Sequence, residues 1–253
     1  MMNRAFNKII RNRITIPLTP FYRQFPYKGK VSINSADSRG CVDTELGFFY
    51  NRIPKAANST VVTNLARLKF GRDIPSKQAK KMFKTPSALY AREMSLFSLL
   101  FTFTVVRNPF TRTLSAYLDK VERRALKNNK KTSFNSFLQS LENGKLYSNA
   151  HWAPQSALLL MPADQFDFIG KVETLDIDLP YIKERIQGKR PKEPIRSILS
   201  NATGASRKLQ AYYDDETAEM VRNLYRNDFE TFAYPETLPL PSDKPSETEK
   251  TAS

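Results

Sequence analysis

One stretch of the chain constrains the fold more than any other. Leu46 to Ile53 is an aromatic, β-prone run that stops at Pro54. A few residues later, apolar side chains recur at helical spacing over Ser59–Lys69: Val61, Val62, Leu65 and Leu68. Aromatic and β-branched residues suit a pleated, half-buried surface, and proline cannot continue a strand's ladder. A strand, a short loop and a helix in that order predict the opening of a βαβ unit.

The pattern recurs. Phe101–Val106 predicts a second buried strand. Pro109 suits the first turn of a helix, whose apolar face runs on through Leu114, Tyr117, Leu118 and Val121. Ser133–Leu141 predicts a short amphipathic helix, and Phe166–Gly170 a third strand. Asp214–Phe229 predicts a last helix, opened by acids that suit its positive N-terminal end. Alternating strands and helices predict an α/β fold, with a central parallel sheet flanked by helices in a single domain. Ligands of such sheets sit at the carboxyl ends of the strands. That places the loops after Ile53 and Val106 at the site.

The chain of 253 residues is long enough for one domain with a sizeable core. Residues 1–40 read as a basic arm with little periodicity, and residues 41–234 as the domain. Residues 235–253, PETLPLPSDKPSETEKTAS, are too rich in proline and charge to bury much surface and predict a disordered tail. No internal repeat is present.

Forty Lys and Arg against 25 Asp and Glu give a net charge of +15, which implies an anionic partner. Nucleic acid, an anionic membrane, a nucleotide cofactor and an acidic polysaccharide all qualify, and charge alone does not choose among them. Cys41 is the single cysteine, which excludes an intramolecular disulfide and fits a reducing compartment. No run of about 18 apolar residues predicts a membrane span, and the N-terminus lacks the apolar core of a secretory signal. The expectation is a cytoplasmic protein. Its N-terminus carries Arg4, Lys8, Arg11 and Arg13 before the first acid, Asp37. That segment is either a peripheral membrane contact or simply a poorly ordered arm.

Three constellations carry chemistry. The first is Pro54-Lys55-Ala56-Ala57-Asn58-Ser59-Thr60, between a strand and a helix. Small residues let the backbone approach an anion, and the helix start presents free N–H groups and a positive dipole end. Asn58, Ser59 and Thr60 add side-chain donors, and Lys55 adds a point charge. The same residues also suit an ordinary capped helix start. The second is Val105-Val106-Arg107-Asn108-Pro109-Phe110, followed by Arg112, Ser115 and Tyr117. Arg107 leaves a strand and Ser115 lies further along the next helix, so both can face one phosphate. Alternatively, Arg107 pairs with a structural carboxylate and Ser115 is a small packing residue. The third is His151, the only histidine. Its ordinary pKa of about 6.5 suits a general base near neutrality. Glu173 is the competing base, or else a capping or salt-bridging acid.

PKAANST and VVRNPFTRTLSAYLDK resemble two motifs of the Golgi-type carbohydrate sulfotransferases, the family of the chondroitin, dermatan and HNK-1 enzymes. That family carries a PKxxxTN loop for the 5′-phosphosulfate and an RxPFxRxxSAYxxK motif for the 3′-phosphate. His151-Trp152-x-Pro-Gln155, Phe166–Thr174 and Leu224–Phe232 are also similar, in the family's order, over roughly residues 46–234. The resemblance implies a P-loop-like α/β fold and the donor 3′-phosphoadenosine 5′-phosphosulfate. It places Lys55, Ala57, Asn58, Ser59 and Thr60 at the 5′-phosphosulfate, and Arg107 and Ser115 at the 3′-phosphate. It implies a carbohydrate acceptor, acidic in some members, with Lys55 and His151 as the catalytic pair and no metal. Gly204–Lys208, including Arg207, either covers the 3′-phosphate or is an ordinary surface loop. Asn58 and Asn108 stand where the animal enzymes often have Cys and an acid. Those enzymes also have a membrane anchor and luminal disulfides, which this sequence lacks.

The charge run Arg123, Arg124, Lys127, Lys130 and Lys131 is either a solvated face or a steering surface for an acidic glycan. Two rivals remain. A P-loop nucleotide kinase requires a Lys-Ser/Thr pair for magnesium, where this loop has Lys55-Ala56. A nucleic-acid-binding module requires exposed aromatics among its basic residues, whereas Phe48, Phe49, Phe101 and Phe103 fall in predicted strands.

Overall fold

Four strands make one sheet in the order β1 (Gly40–Asp43), β2 (Phe48–Asn51), β3 (Phe101–Val106) and β4 (Phe168–Lys171). They belong to a computed structural model that describes residues 7, 9–124, 132–188 and 205–239. β2, β3 and β4 are parallel, as expected, but β1 runs antiparallel to β2, so the sheet is mixed. β1 joins through a turn in which Asp43 Oδ1 accepts the N–H groups of Glu45 and Leu46, and Gly47 takes a φ of 71°. Four residues with two apolar side chains carry no legible alternation, which is why the sequence does not announce this strand.

The flanking helices are α1 (Asn58–Phe70), α2 (Pro109–Tyr117), α3 (Phe134–Ser140), α4 (Leu175–Gln187), α5 (Ala205–Tyr212) and α6 (Asp215–Thr231). Alternate side chains of a strand face opposite sides. Phe48, Tyr50 and Phe103 therefore pack with Val61, Val62 and Leu65 of α1 and with Leu179 and Ile182 of α4. Phe49 faces the other way and meets Phe21, Phe97 and Phe166, at ring distances of 5.7, 5.5 and 6.1 Å. A further cluster joins α2, α3, α5 and α6, with Phe110 of α2 against Phe229 and Tyr213.

The N-terminal segment is not a loose arm over its described part. Ile16, Phe21, Tyr22 and Ala36 are buried against the Phe49 face of the sheet. Asp37, the first acid of the chain, is buried and accepts from Tyr22 Oη, from the Ser87 N–H and from the Ser87 hydroxyl. The segment has little periodicity because its helical pieces, Pro20–Gln24 and Ile33–Asp37, are too short to show any. α4 also escapes the sequence reading. Leu175, Leu179, Ile182 and Ile186 keep helical spacing, but Pro180 interrupts the pattern. Of the tail, Leu238 packs against the α2–α6 cluster, and residues 240–253 lie outside the described residues.

The register places three loops at one edge. Asn51 pairs with Thr104, and Val106 with Lys171. The chain therefore leaves β2, β3 and β4 on the same side of the sheet. Removing a fully buried phenylalanine costs about 3–5 kcal/mol. Phe21→Ala is expected to lose that much in urea unfolding; a loss under about 0.5 kcal/mol, the scale of surface changes, would mean that the segment does not hold the sheet.

Candidate functional site

The loop after β2 winds tightly. Lys55 and Ala57 both take left-handed backbone conformations, with φ of 69° and 48°. For residues with a Cβ this is strained, and such strain persists only where the surroundings enforce it. Ala57 is the N-cap of α1 and offers no side chain to its first N–H groups. The ordinary capped start that Asn58 or Ser59 could have made is therefore absent. A 13-residue helix opens onto the loop with its positive end unsealed by any side-chain cap. Beside it, Asn58 Oδ1 is buried and has no hydrogen-bond partner.

What enforces the loop is Arg112, in the first turns of α2 and 1% exposed. Its Nε donates to the Pro54 carbonyl at 3.1 Å, one terminal nitrogen to Ala153 O at 2.9 Å, and the other to Ala150 O at 3.3 Å. One planar fork thus fastens the loop after β2 to the segment that carries His151. Burial lowers the guanidinium's pKa, and the nearby Asp228 opposes that shift.

The second motif converges on the first. Arg107 Nη1 lies 3.4 Å from the Lys55 carbonyl, and its Nε donates to Thr111 Oγ1 at 2.9 Å. Ser115 is buried one turn beyond Thr111, on the same face of α2. The backbone at Arg107 is held from both sides by Gln155, whose Oε1 accepts the Arg107 N–H and whose Nε2 donates to the Arg107 carbonyl. Asn108 caps α2 by accepting from Phe110 N–H at 3.0 Å. Asparagine caps as well as aspartate, so the missing acid leaves the helix start intact.

Glu173 does not stand free as a base. Its Oε1 accepts the Asn108 N–H at 2.9 Å and its Oε2 accepts Tyr234 Oη at 2.8 Å. The carboxylate thus supports the turn after β3, through a backbone N–H and a phenol rather than as the helix cap or salt-bridging acid that the sequence offered. Arg207 lies at the start of α5, and its side chain is outside the described residues, as are Lys127, Lys130 and Lys131.

Lys55 points its ammonium at Asp119 Oδ2, 3.2 Å away, with both side chains largely buried. Asp119 also holds Lys120 and Arg123, each at 3.0 Å. Burial lowers the pKa of Lys55, while Asp119 opposes that. Burial would raise the Asp119 carboxyl, but the bonds from Lys120 and Lys55 hold it below its usual range. A further cation meets the first turn of α1. Lys80 Nζ donates to Ser59 Oγ at 2.8 Å, and burial, Arg52 and Lys120 all lower its pKa. Neither Lys80 nor Asp119 was singled out by the sequence. Lys80 lies among several basic residues with nothing local to mark it, and Asp119 is one acid inside a longer motif.

His151 is half-buried. Asn149 Oδ1 accepts the His151 backbone N–H at 3.0 Å, which fixes that atom as the oxygen. The same oxygen lies 2.8 Å from His151 Nδ1. An amide oxygen can only accept, so Nδ1 carries the proton and Nε2 keeps its lone pair. Burial, with Lys120, Arg39 and Lys55, lowers the imidazole's pKa to about 4. The ring is therefore already neutral at physiological pH, and the expected titration near 6.5 is corrected downward.

Among known proteins, the model of the sulfotransferase family matches residues 39–235, more than half of the chain. No curated protein and no solved structure matches.

Removing one member of a buried charged network costs about 3–5 kcal/mol. Arg112→Met is expected to lose that much stability, measured by denaturant unfolding. Arg112→Lys should recover little of it, because an ammonium cannot span three carbonyls set by a planar fork. Full recovery by lysine would mean that charge, and not the fork, holds the two loops.

Proposed function

The chain belongs to the sulfotransferase family, and we propose that it moves the sulfuryl group of 3′-phosphoadenosine 5′-phosphosulfate to a hydroxyl of a carbohydrate. The observation that carries this reading is the meeting of the two anion-binding motifs, with Arg107 Nη1 at 3.4 Å from the Lys55 carbonyl. Two cationic groups and an open helix start then lie together, as a bisphosphorylated nucleotide requires. The chemistry of the donor set fits. Lys55, Lys80 and the uncapped N–H groups of α1 suit the 5′-phosphosulfate, with Ala57, Asn58, Ser59 and Thr60 forming the loop around it. Arg107, with Thr111 and Ser115 behind it, suits the 3′-phosphate.

Each residue then has a task. Lys55 and the first N–H groups of α1 stabilise the charge that grows on the departing phosphate oxygen. His151 Nε2 takes the proton of the acceptor hydroxyl as that oxygen attacks sulfur. The sulfuryl group passes to the acceptor, and adenosine 3′,5′-bisphosphate leaves. Asp119 holds Lys55 in place until the donor's own negative charge takes over. Arg112 and Gln155 fix the relative positions of the two halves, which is where a displacement of about 1 Å is felt most.

Two measurements test this. Truncating one partner of a buried charged contact costs about 2–4 kcal/mol, so calorimetry with adenosine 3′,5′-bisphosphate should show such a loss for Arg107→Ala. Unchanged affinity removes Arg107 from the donor site. His151 is the only histidine, so its ring can be followed alone by proton NMR. In the free protein it should stay neutral from about pH 8 down to about pH 5, and saturation with the bisphosphate should raise its pKa by offsetting Lys55 and Lys120. His151→Ala should lower turnover by about 100- to 10,000-fold with bisphosphate affinity nearly intact. Near-native turnover would place the base elsewhere.

A further inference from the structure

The described start of the chain keeps three large apolar side chains in water. Ile9, Ile14 and Leu18 are 54, 54 and 56% exposed, while Ile16 is buried against the sheet. Arg11–Thr15 is wound as a π-helix, closed by the Ile16 N–H donating to the Arg11 carbonyl at 3.0 Å. The Leu18 N–H then reaches back to the Ile14 carbonyl at 3.2 Å. Spacings of five and four residues are each about one turn of such a chain, so the three side chains share one face. Apolar side chains scattered singly over a surface are ordinary, but a contiguous row marks an interaction surface. More apolar surface adjoins it. Phe97 packs on Phe21 and on Phe25, each at 5.4 Å, and its sequence neighbours Leu96 and Leu99 are exposed.

The charge around this row has one sign. Arg11, Arg13 and Arg23 are exposed, and among the described residues none of them forms an ion pair with an acid. No acid precedes Asp37, and Asp37 is buried. Arg4 and Lys8 add two positive charges in the sequence, at positions outside the described residues. Arg11 also lines a cleft of about 480 Å³ with Ile10, Thr15, Thr19 and Thr85, within the range of small-ligand sites and roomy enough for a lipid headgroup.

An aliphatic row with cations beside it matches the two layers of an anionic bilayer. The acyl boundary receives the aliphatic side chains, and the headgroup phosphates receive the arginines. A nucleic acid would meet the charge but leave the aliphatic row in water, and an apolar protein groove would meet the row but leave the cations unmatched. We propose that this face of the N-terminal segment docks on an anionic lipid surface, with Ile9, Ile14 and Leu18 at the acyl boundary and Arg11, Arg13 and Arg23 at the phosphates. Among the described residues no helix is long and apolar enough to cross a membrane, and the contact proposed is peripheral. Ile16 and Phe21 fasten the segment to the Phe49 face of the sheet, so docking here holds the folded domain at the surface. The proposal is independent of the sulfuryl-transfer reading.

The test is flotation of the full chain with phosphatidylcholine vesicles, with and without about a third of phosphatidylglycerol. The chain should float with the anionic vesicles and stay behind with the neutral ones. A chain of net charge +15 could also adsorb by charge alone, so the variants locate the contact. Ile14→Ser with Leu18→Ser leaves the charge unchanged and should weaken binding at least about tenfold. Arg11→Gln with Arg13→Gln should weaken it by a similar factor, about tenfold or more. Arg72→Gln with Lys77→Gln removes the same charge beside Ile74 and Ala79, which pack on the other face of the sheet, and should stay within about twofold of native. A label guards against a folding defect in the variants. Cys41 is buried, so Leu18→Cys offers the single reactive thiol for an environment-sensitive dye. Its emission should shift to the blue on anionic vesicles, and that of the same dye at Lys77→Cys should not. No flotation, equal losses in the two arginine and lysine pairs, full binding by the Ile14 and Leu18 variant, or an unshifted dye at position 18 each overturns the proposal. So does a dimer of the native chain that the Ile14 and Leu18 variant dissociates without any vesicle binding, which assigns the face to a second copy.

Discussion

The buried guanidinium of Arg112 ties two otherwise independent loops to α2. It donates to Pro54 on one side and to Ala150 and Ala153 on the other. Taking a charge out of water is costly unless its hydrogen bonds are satisfied. Three carbonyls satisfy this one, and the nearby Asp228 offsets part of the remaining charge. Because the fork is planar and its donors are fixed, it sets distance as well as attraction. The left-handed backbone at Lys55 and Ala57 is stable only against such an anchor.

A second tier of contacts carries the position outward from α6. Buried Asp228 accepts the N–H groups of Gln155 and Ser156 and the Ser156 hydroxyl. Tyr225 Oη donates to the Trp152 carbonyl at 2.7 Å. The segment 152–156 is thus moulded by the last helix, and Gln155 passes its position to the backbone of Arg107. From the opposite side Glu173, itself held by Tyr234, fixes Asn108. Asp228, Gln155, Asn108 and Tyr225 are buried, and leaving one of them unpaired would cost more than its hydrogen bond contributes. The network therefore specifies one geometry for Arg107.

The electrostatics have a common direction. Lys55, Lys80, Lys120, Arg39 and Arg107 gather around the ends of β2 and β3. Burial and mutual repulsion lower the pKa values of Lys55, Lys80, Arg39 and Arg107. Asp119 counters part of this by pairing with Lys55, Lys120 and Arg123. Burial first, and then the same field, hold His151 neutral. Bound anions would relieve the repulsion and raise the basicity of the imidazole together.

The sequence by itself determined the elements with strong local signals. β3 occupies Phe101–Val106 as read, and α1, α2 and α6 lie within a few residues of their expected bounds, because hydrophobic period, Pro109 and Asp214 are local features. It also predicted that the loops after β2 and β3 lie together at the carboxyl ends of the strands, and Arg107 Nη1 does come within 3.4 Å of the Lys55 carbonyl. The tertiary structure decided the rest. β1 and the N-terminal segment gain their structure from the Phe49 face of the sheet, which no local window contains. Lys80 comes to Ser59, and Asp119 to Lys55, across 21 and 64 positions of sequence. Whether Glu173 is a base or a support depends on Asn108 and Tyr234, and whether His151 is charged depends on burial and on Lys120, Arg39 and Lys55. Residue type sets what a side chain can do; its protonation and its partners are set by neighbours that only folding supplies.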